Sequence, residues 1–243
     1  MKSRWMLAGI GAVAVCGAAG WLAAQSAPSA SVVDNLKLVE VASVADAMEQ
    51  LYGERNYMKH DMRPLFPTKF AGPAVTVLLT KEEHKEGASA SQGMLDAIDA
   101  APRGSVYVIV LPDGVDIAGI GGLMATAMKF RGLAGAVVDA SIRDTPQIRK
   151  LQFPVFSRGI VPSTSVNHYR FAGMNVPVVC AGARVSPGDI IVADEDGVAV
   201  VPKDRAEAVL KKSQELDDTE HRMLPFIEKF RSIKEAVARF GRI

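Results

Sequence analysis

The sequence predicts a single α/β domain with a mixed sheet. Strand–helix–strand units occupy the middle of the chain, where apolar runs rich in Val and Ile alternate with helix-forming segments. Such units produce parallel strands, whereas a hairpin near the end of the chain adds antiparallel ones. Neither an internal repeat nor a second domain boundary is visible in the sequence, so one domain is expected over residues 34–243.

The first half of this domain begins with a helix. Ser43 and Asp46 form a capping pattern, which predicts a helix from Ser43 to about Tyr52. The next three elements are a strand, a helix and a strand, over 72–80, 91–101 and 105–112. The last of them is an unbroken apolar run, which is typical of a strand buried inside a sheet.

The middle of the domain contains a glycine-rich helix start. Gly121 and Gly122 precede a helix-forming segment, and Gly132 is expected to end that helix. A strand follows at 135–139. After it comes a short helical turn, in which Pro146 occupies an early position that suits its fixed φ.

The last third of the chain predicts strands, a hairpin and two helical segments. Two further strands are expected, within 153–159 and 176–182. The hairpin spans 187–202, with Asp196 and Gly197 in its turn. A helix from Asp204 is expected to be interrupted at Pro225, before a final helical segment.

The first 26 residues are expected to be a signal peptide or an N-terminal anchor. Lys2 and Arg4 give a basic start, residues 5–24 are apolar and uncharged, and small polar residues follow. The apolar stretch is also about long enough to span a bilayer. Both cleavage and retention therefore stay open, and the protein is expected to be exported to the periplasm or attached to the membrane through residues 5–24.

Composition narrows the functional classes. The formal net charge is +1 and aromatic residues make up 6% of the chain, so nothing suggests a nucleic-acid partner. Sequence motifs typical of zinc proteases, of dithiol redox proteins and of serine hydrolases do not occur. Cys180 lies in an apolar run, and we interpret it as a small buried hydrophobic residue.

Two short segments are candidates for a binding site. The helix start at Gly121, Gly122, Leu123 and Met124 offers unpaired backbone N–H groups and a partial positive charge, both of which favour an anion. Arg143 and Asp144 follow the strand at 135–139, so a guanidinium that suits a carboxylate adjoins an oxygen ligand for a cation.

Each segment also has a plain structural interpretation. The glycines could form an ordinary strand-to-helix turn, since they match neither a Walker loop nor a complete dinucleotide fingerprint. Arg143 and Asp144 could form a surface salt bridge. A right-handed crossover would bring both segments to the same edge of the sheet, however, where α/β proteins tend to bind ligands.

Three longer segments resemble the RraA-like family, which includes regulators of ribonuclease activity and class II 4-hydroxy-4-methyl-2-oxoglutarate aldolases. The segments lie at 121–144, 153–159 and 174–202, and the similarity extends over roughly 40–241. The aldolases of this family carry a glycine, twenty residues, Arg-Asp, two residues and then an acid. Here Gly122 is followed after twenty residues by Arg143 and Asp144, but Gln147 stands where the acid is expected.

The resemblance implies a swivelling β/β/α fold, a homotrimer or a dimer of trimers, and an active site between subunits. It assigns substrate binding to Gly121, Gly122, Leu123 and Met124, carboxylate binding to Arg143, and the divalent metal, Mg²⁺ or Mn²⁺, to Asp144. Because Gln147 carries a neutral amide in place of the carboxylate, we expect a lower metal affinity and a lower aldolase activity than the complete motif would give.

The function expected from these residues is a metal-dependent lyase that releases pyruvate from 4-hydroxy-2-oxo acids and decarboxylates oxaloacetate as a side activity. Arg143 and Asp144 are the expected catalytic residues. Two alternatives are a non-catalytic regulatory protein of the same family, which the neutral Gln147 favours, and an exported protein that binds small acids without turnover.

Overall fold

A nine-stranded mixed sheet organises the chain. The structure, a computed structural model, describes residues 29–241. Its helices are α1 (Ala30–Leu36), α2 (Val41–Tyr52), α3 (Gln92–Ala100), α4 (Gly122–Arg131), α5 (Thr145–Leu151), α6 (Ala206–Phe230) and α7 (Ile233–Phe240). Its strands are β1 (Arg63–Pro64), β2 (Phe70–Lys81), β3 (Val106–Val110), β4 (Ala118–Ile120), β5 (Gly135–Ile142), β6 (Val155–Ile160), β7 (Tyr169–Met174), β8 (Val178–Cys180), β9 (Ala183–Val185), β10 (Ile190–Asp194) and β11 (Gly197–Val201).

The sheet combines parallel and antiparallel strands, as the sequence predicts. Its order is β1-β6-β5-β3-β2-β10-β11, with β4 paired to β5 and β7 paired to β2. The neighbours β2, β3, β5 and β6 run parallel, while β10, β11 and β7 join as antiparallel strands. The predicted α/β class with a mixed sheet is therefore confirmed, and the separate β8–β9 pair adds a small second layer.

Three apolar clusters form the core. One lies between the sheet and the helices α3, α4 and α5, and it includes Met94, Met128 and Ile148. The second packs the opposite face of the sheet against β8 and β9, and Cys180 is fully buried there. This burial confirms the interpretation of Cys180 as a buried hydrophobic residue, and it raises the pKa of the Cys180 thiol well above its usual value. The third joins α1, α2 and α6 to β10 and β11.

The start of α2 differs from the prediction. The helix begins at Val41 rather than Ser43, and Ser43 is buried without capping it. Carboxylates from distant elements replace the local cap: Asp194 accepts from the Val41 N–H at 3.0 Å, and Asp217 accepts from the Glu40 N–H at 3.2 Å. A pattern of neighbouring residues could not indicate partners that lie more than a hundred positions away.

This cap yields a stability prediction. We expect Asp194→Ala to lower the free energy of unfolding by about 1–3 kcal/mol, because it removes the acceptor of the buried Val41 N–H and of the Asp196 N–H. Denaturant unfolding followed by circular dichroism measures the change. Asp194→Asn, which keeps one acceptor oxygen, should lose less. Asp196→Ala in the exposed turn should leave stability unchanged, and an equal loss in both alanine variants would contradict the capping role.

Two further details of the C-terminal third were predicted wrongly. The hairpin pairs Asp194 with Gly197, so its two turn residues are Glu195 and Asp196 rather than Asp196 and Gly197. Helix α6 continues through Pro225. The proline lies on an exposed side of the helix, where water can satisfy the carbonyl that lacks a partner.

The described residues leave the N-terminal prediction untested. The expected signal peptide or anchor, residues 1–26, lies outside residues 29–241. Within that described range, none of the helices combines the length and apolar character needed to cross a membrane.

Candidate active site

Strand β4 explains why the two predicted segments meet. It pairs parallel to β5, with Ile120 opposite Ile142, so both strands end at the same edge of the sheet. The Arg143 N–H donates to the Ile120 carbonyl at 3.1 Å, which joins the residue after β5 to the last residue of β4. The helix start at Gly122 and the Arg143–Asp144 pair therefore lie side by side.

Asp144 occupies the junction between β5 and α5. Its φ of 57° is left-handed, and its carbonyl accepts the first hydrogen bonds of α5. Its Oδ2 accepts from the Gly122 N–H at 3.0 Å, so the side chain also caps α4. Its Oδ1 makes no hydrogen bond to any of the residues in 29–241, and the side chain is 49% exposed. One carboxylate oxygen is thus held in place while the other is available to a ligand.

Arg143 is held from two sides. Its Nε lies 3.7 Å from Asp144 Oδ2, and its Nη1 donates to the Ser163 carbonyl at 3.2 Å. Its Nη2 makes no hydrogen bond to another residue of the described part of the chain. The side chain is 42% exposed, so the remaining donors of the guanidinium can reach a ligand.

The two glycines at the start of α4 allow a close approach. A Cβ on Gly121 would lie 2.7 Å from Asp144 Oδ2 and 3.2 Å from Arg143 Cγ. A Cβ on Gly122 would lie 2.3 Å from Gln147 Oε1. Gln147 in turn donates to the Thr126 hydroxyl at 3.1 Å. Gly121 is therefore needed for the close contact between the start of α4 and the Arg143–Asp144 junction, whereas the contact at Gly122 involves only the end of the Gln147 side chain.

The backbone of α4 supplies further donors. Neither the Leu123 N–H nor the Met124 N–H donates a hydrogen bond within the described residues, as expected for the first turn of a helix. Leu123 is 83% exposed and Met124 is half-buried. Gly121, Leu123 and Met124 line, together with Arg143 and Asp144, a cleft of about 430 Å³ that runs between α3 and α4. A second cleft, of about 340 Å³, shares Arg143 and Asp144 and lies on their other side.

The donor set suits a hard divalent cation only in part. Over residues 29–241, no group of three or more His, Cys, Asp or Glu side chains is arranged to hold a metal. Asp144 offers one open carboxylate oxygen, and Mg²⁺ in proteins commonly takes one or two carboxylates and keeps water or substrate for the rest. The residues therefore fit a weakly held Mg²⁺ or Mn²⁺ ion whose remaining coordination positions would be filled by water or by a bound ligand.

Another charged cluster has a structural role. Arg158 donates to Asp61 at 2.7 Å and to Asp139 at 3.3 Å, and Asp139 accepts from the Ala181 N–H. Burial acts to raise the pKa of Asp61, but the hydrogen bond and charge of Arg158 outweigh it and lower that pKa. These contacts join the 58–62 segment and the residue after β8 to the middle of β5 and β6.

Sequence reasoning missed the residue that orients Arg143. Ser163 accepts from Arg143 through its carbonyl, while its hydroxyl donates to the Asp116 carbonyl and accepts from the Ala118 N–H. It lies between β6 and β7, and it reaches the site only because that segment folds back over β4. No local pattern marks it.

The fold and the site together define an α/β protein with a cleft, lined by an arginine and an aspartate, at the carboxyl ends of parallel strands. A family model matches residues 41–200, which is more than half of the chain. The chain belongs to the RraA-like family, described as Aldolase/RraA.

Relatives with known names support this membership. A protein of Halalkalibacterium halodurans with the provisional name 4-hydroxy-4-methyl-2-oxoglutarate aldolase is 31% identical over 183 residues, which cover 75% of this chain and 81% of that protein. Protein DlpA of Legionella pneumophila is 31% identical over 196 residues. That match covers 80% of this chain but only 31% of DlpA, so this chain spans about a third of the length of that relative.

Solved structures confirm the fold. An uncharacterized protein from Pseudomonas syringae superposes with a TM-score of 0.77 at 27% identity, over 87% of this chain and 98% of that one. A Streptomyces coelicolor protein, described as an unusual member of the RNase ES inhibitor RraA protein family, gives a TM-score of 0.72 at 27% identity. That match covers 81% of this chain and 96% of the Streptomyces chain.

Proposed function

We propose that the protein is a divalent-metal-dependent lyase that cleaves 4-hydroxy-2-oxo acids, of the 4-hydroxy-4-methyl-2-oxoglutarate type, to pyruvate and a second carbonyl compound. Oxaloacetate decarboxylation is the proposed side activity. One observation carries the proposal: the partly free guanidinium of Arg143, the open oxygen of Asp144 and the unpaired N–H groups of Leu123 and Met124 converge on one cleft. Aldolase names among the relatives support the same reaction class.

Arg143 and the N–H groups at the start of α4 would orient the substrate and stabilise the negative charge that develops on it. Arg143 binds the substrate carboxylate through its free donors. When the C3–C4 bond breaks, the proton of the 4-hydroxyl group passes to water and C4 becomes the carbonyl of the second product. The C3–C4 electron pair forms the C2=C3 bond of an enolate and displaces the C2=O π pair onto the 2-oxo oxygen, where the Leu123 and Met124 N–H groups can share the negative charge. The enolate then takes a proton from water at C3 and becomes pyruvate. A preorganised donor of this kind contributes about 3 kcal/mol to the lowering of the barrier. Oxaloacetate loses CO₂ by breakage of the equivalent bond, so the same groups serve both reactions.

Asp144 would hold the divalent cation, Mg²⁺ or Mn²⁺, through its open carboxylate oxygen. Such a cation acts as a Lewis acid that polarises the 2-oxo group. Asp144 is suited to this role because the Gly122 N–H fixes its other oxygen. The side chain is therefore already oriented, and metal binding would cost it less conformational entropy.

A coupled assay tests the proposal. Purified protein is incubated with Mg²⁺ or Mn²⁺ and a panel of oxo acids, and pyruvate is measured through lactate dehydrogenase and NADH. We expect metal-dependent pyruvate release that is abolished by a chelator and restored by added metal. Absence of release from every 4-hydroxy-2-oxo acid and from oxaloacetate would overturn the proposal.

Gln147 provides a prediction about metal affinity. We expect Gln147→Glu to tighten Mn²⁺ binding about tenfold, because a carboxylate would replace a neutral amide beside Gly122 and near Asp144. Calorimetric titration of the two proteins with Mn²⁺ measures the difference. Gln152→Glu is the matched control, since Gln152 lies at the far end of α5. Equal tightening in both variants would mean that overall charge, and not the site, is responsible.

A regulatory protein without catalysis is the second candidate. The neutral Gln147 and the likeness to a structure described as belonging to an RNase inhibitor family favour it. It predicts no pyruvate release in the coupled assay and no change on Gln147→Glu. An exported location argues against a partner in RNA decay, which takes place in the cytoplasm.

Assembly and location complete the proposal. We propose a homotrimer, or a dimer of trimers, in which a neighbouring copy covers the exposed face of α4. Leu123 is 83% and Phe130 is 81% exposed on that helix, next to the site, and large apolar side chains this exposed commonly mark an interface. Light scattering of the purified protein tests the assembly.

We also propose export or N-terminal anchoring through residues 5–24, which fractionation of expressing cells would test.

A further inference from the structure

The helices α3, α4 and α5 all end on one side of the molecule, opposite the candidate site. Each of them leads into the start of a parallel strand, so their last turns gather at the amino ends of β3, β5 and β6. The candidate site lies at the carboxyl ends instead. We call the opposite surface the amino-end face, and it is formed by residues 99–105, 129–134 and 149–154.

The amino-end face is strongly basic. Its exposed residues include one acid, Asp99, and five cations, although the whole chain has a formal net charge of only +1. Those cations are Arg103, Lys129, Arg131, Arg149 and Lys150. Arg131 pairs with Asp99 at 3.6 Å, and no ion pair joins the other four cations to a residue between 29 and 241. Such an uneven surface creates a local positive potential that attracts anions.

Contacts between neighbouring elements hold the cations together. Lys129 Nζ donates to the Gln152 carbonyl at 3.3 Å, which joins the end of α4 to the end of α5. The ion pair of Arg131 joins α4 to the end of α3. Arg103 lies so close to Gly132, the residue that ends α4, that a Cβ there would be 3.1 Å from Arg103 Cγ. The five cations therefore form one patch rather than scattered surface charges.

Helix geometry accounts for part of this patch. Basic side chains in the last turn of a helix interact favourably with the partial negative charge of its C-terminus, so the cations of α4 and α5 also stabilise those helices. Arg103 lies outside any helix, however, and gains nothing from that effect. The same effect does not explain why a single acid stands among five cations. An anionic partner for the whole face accounts for both observations.

The chain enters the domain on this same side. Lys69 immediately precedes β2, and its Nζ donates to the Leu38 carbonyl at 3.2 Å, which holds the segment after α1 at the start of that strand. Because β2 runs parallel to β3, both strands start on the side of the amino-end face. Only four residues separate the apolar segment 5–24 from Ser29, a reach of at most about 18 Å. If that segment is retained as an anchor, this side of the domain must face the bilayer.

We propose that the amino-end face binds the surface of an anionic phospholipid bilayer, so that the cleft at the opposite edge of the sheet faces away from the membrane. A basic residue next to such a surface strengthens its attraction about fivefold, and the four unpaired cations act together. Phe130, beside Lys129, belongs to the α4 surface that is proposed above for a neighbouring copy, and it is not part of this contact. The proposal does not depend on the lyase activity, and it leaves the cleft accessible to dissolved substrates.

Chemical footprinting of the full chain tests this orientation. The protein is reconstituted with vesicles of phosphatidylcholine, either alone or mixed with phosphatidylglycerol, and lysine acetylation by a water-soluble reagent is followed by mass spectrometry. We expect Lys129 and Lys150 to react at least about threefold more slowly on the anionic vesicles than on the neutral ones, and high salt to remove the difference. Lys85 is exposed beyond the carboxyl end of β2, so it is the internal control and should react equally on both.

A variant with fewer charges gives a second measurement. Arg103→Gln/Arg149→Gln/Lys150→Gln keeps Lys129 as the reporter, and it should remove most of the protection of that lysine. The matched control variant replaces three exposed cations outside the face by glutamine, and it should keep the protection. Those three are Arg184, Lys211 and Lys234.

Three results would overturn the proposal. One is equal reactivity of Lys129 and Lys150 on neutral and anionic vesicles. Another is an equal loss of protection in the two triple variants, because net charge rather than this face would then be responsible. The third is protection of both lysines without vesicles that disappears on dilution, because the amino-end face would then be a contact between copies of the chain.

Discussion

Arg143→Ala and Asp144→Asn should each reduce pyruvate release by about 100- to 1,000-fold, the loss typical of removing one preorganised charge-stabilising group. Arg143 is the single cation that the described residues offer to the substrate carboxylate, and Asp144 offers the open oxygen for the metal. The coupled pyruvate assay at saturating Mg²⁺ measures both effects. In Arg143→Ala the loss should appear in KM as well as in kcat, because the guanidinium also binds the ground state.

Folding controls separate these losses from damage to the protein. Asparagine tolerates the left-handed backbone of position 144, and its side-chain oxygen can still accept from the Gly122 N–H. Asp144→Asn should therefore unfold at nearly the wild-type denaturant concentration while its metal affinity falls. Arg143→Lys keeps the charge but not the planar fork, so it should recover only part of the activity. Wild-type pyruvate release by both Arg143→Ala and Asp144→Asn would show that the site lies elsewhere.

Gly121→Ala is expected to have the second largest effect, a loss of activity of about 100-fold. The added Cβ would lie 2.7 Å from Asp144 Oδ2 and 3.2 Å from both Cγ and Nε of Arg143, so both side chains must move. The backbone of Gly121, with φ −138°, accepts alanine without strain, so stability should change little. Pyruvate release and denaturant unfolding, measured on the same preparation, give the two quantities.

Gly122→Ala is the matched control for this prediction. Its Cβ would meet the end of the Gln147 side chain, which is flexible and exposed and can turn away. We therefore expect a much smaller loss than in Gly121→Ala, and the double variant Gly122→Ala/Gln147→Ala should remove most of it. Equal losses at the two glycines would indicate that α4 itself is distorted, rather than that the Arg143–Asp144 pair is displaced.

Most elements of the fold were predictable because their signals are local. The buried strands β3 and β5 are apolar runs, and Gly132, with φ 79°, ends α4 as expected. Strands β1, β4, β7 and β9 were not predicted. Strand β1 contains two residues, and β4 and β9 contain three each, which is too few for a periodic pattern. Strand β7 shows no regular alternation of apolar and polar residues, contains a glycine and pairs with β2 across an irregular register, so its sequence resembles a loop.

The candidate site was predictable in its residues but not in its geometry. Glycines before a helix and an Arg-Asp pair after a strand are visible as patterns, and the structure brings both to the same edge of the sheet. The contact between them depends on β4 and on the Asp144–Gly122 hydrogen bond, which arise only from tertiary pairing. The same limitation applies to Ser163, which orients Arg143 through its carbonyl and carries no functional motif.

The junction between β5 and α5 has one mechanical consequence. Strand and helix are separated by only two residues, Arg143 and Asp144, and both are pinned to neighbouring elements. The pair therefore has no adjoining loop over which it could move away from α4 and back. Any opening or closing of the cleft would depend on the other segments that line it, which are α3 and the segment before β7.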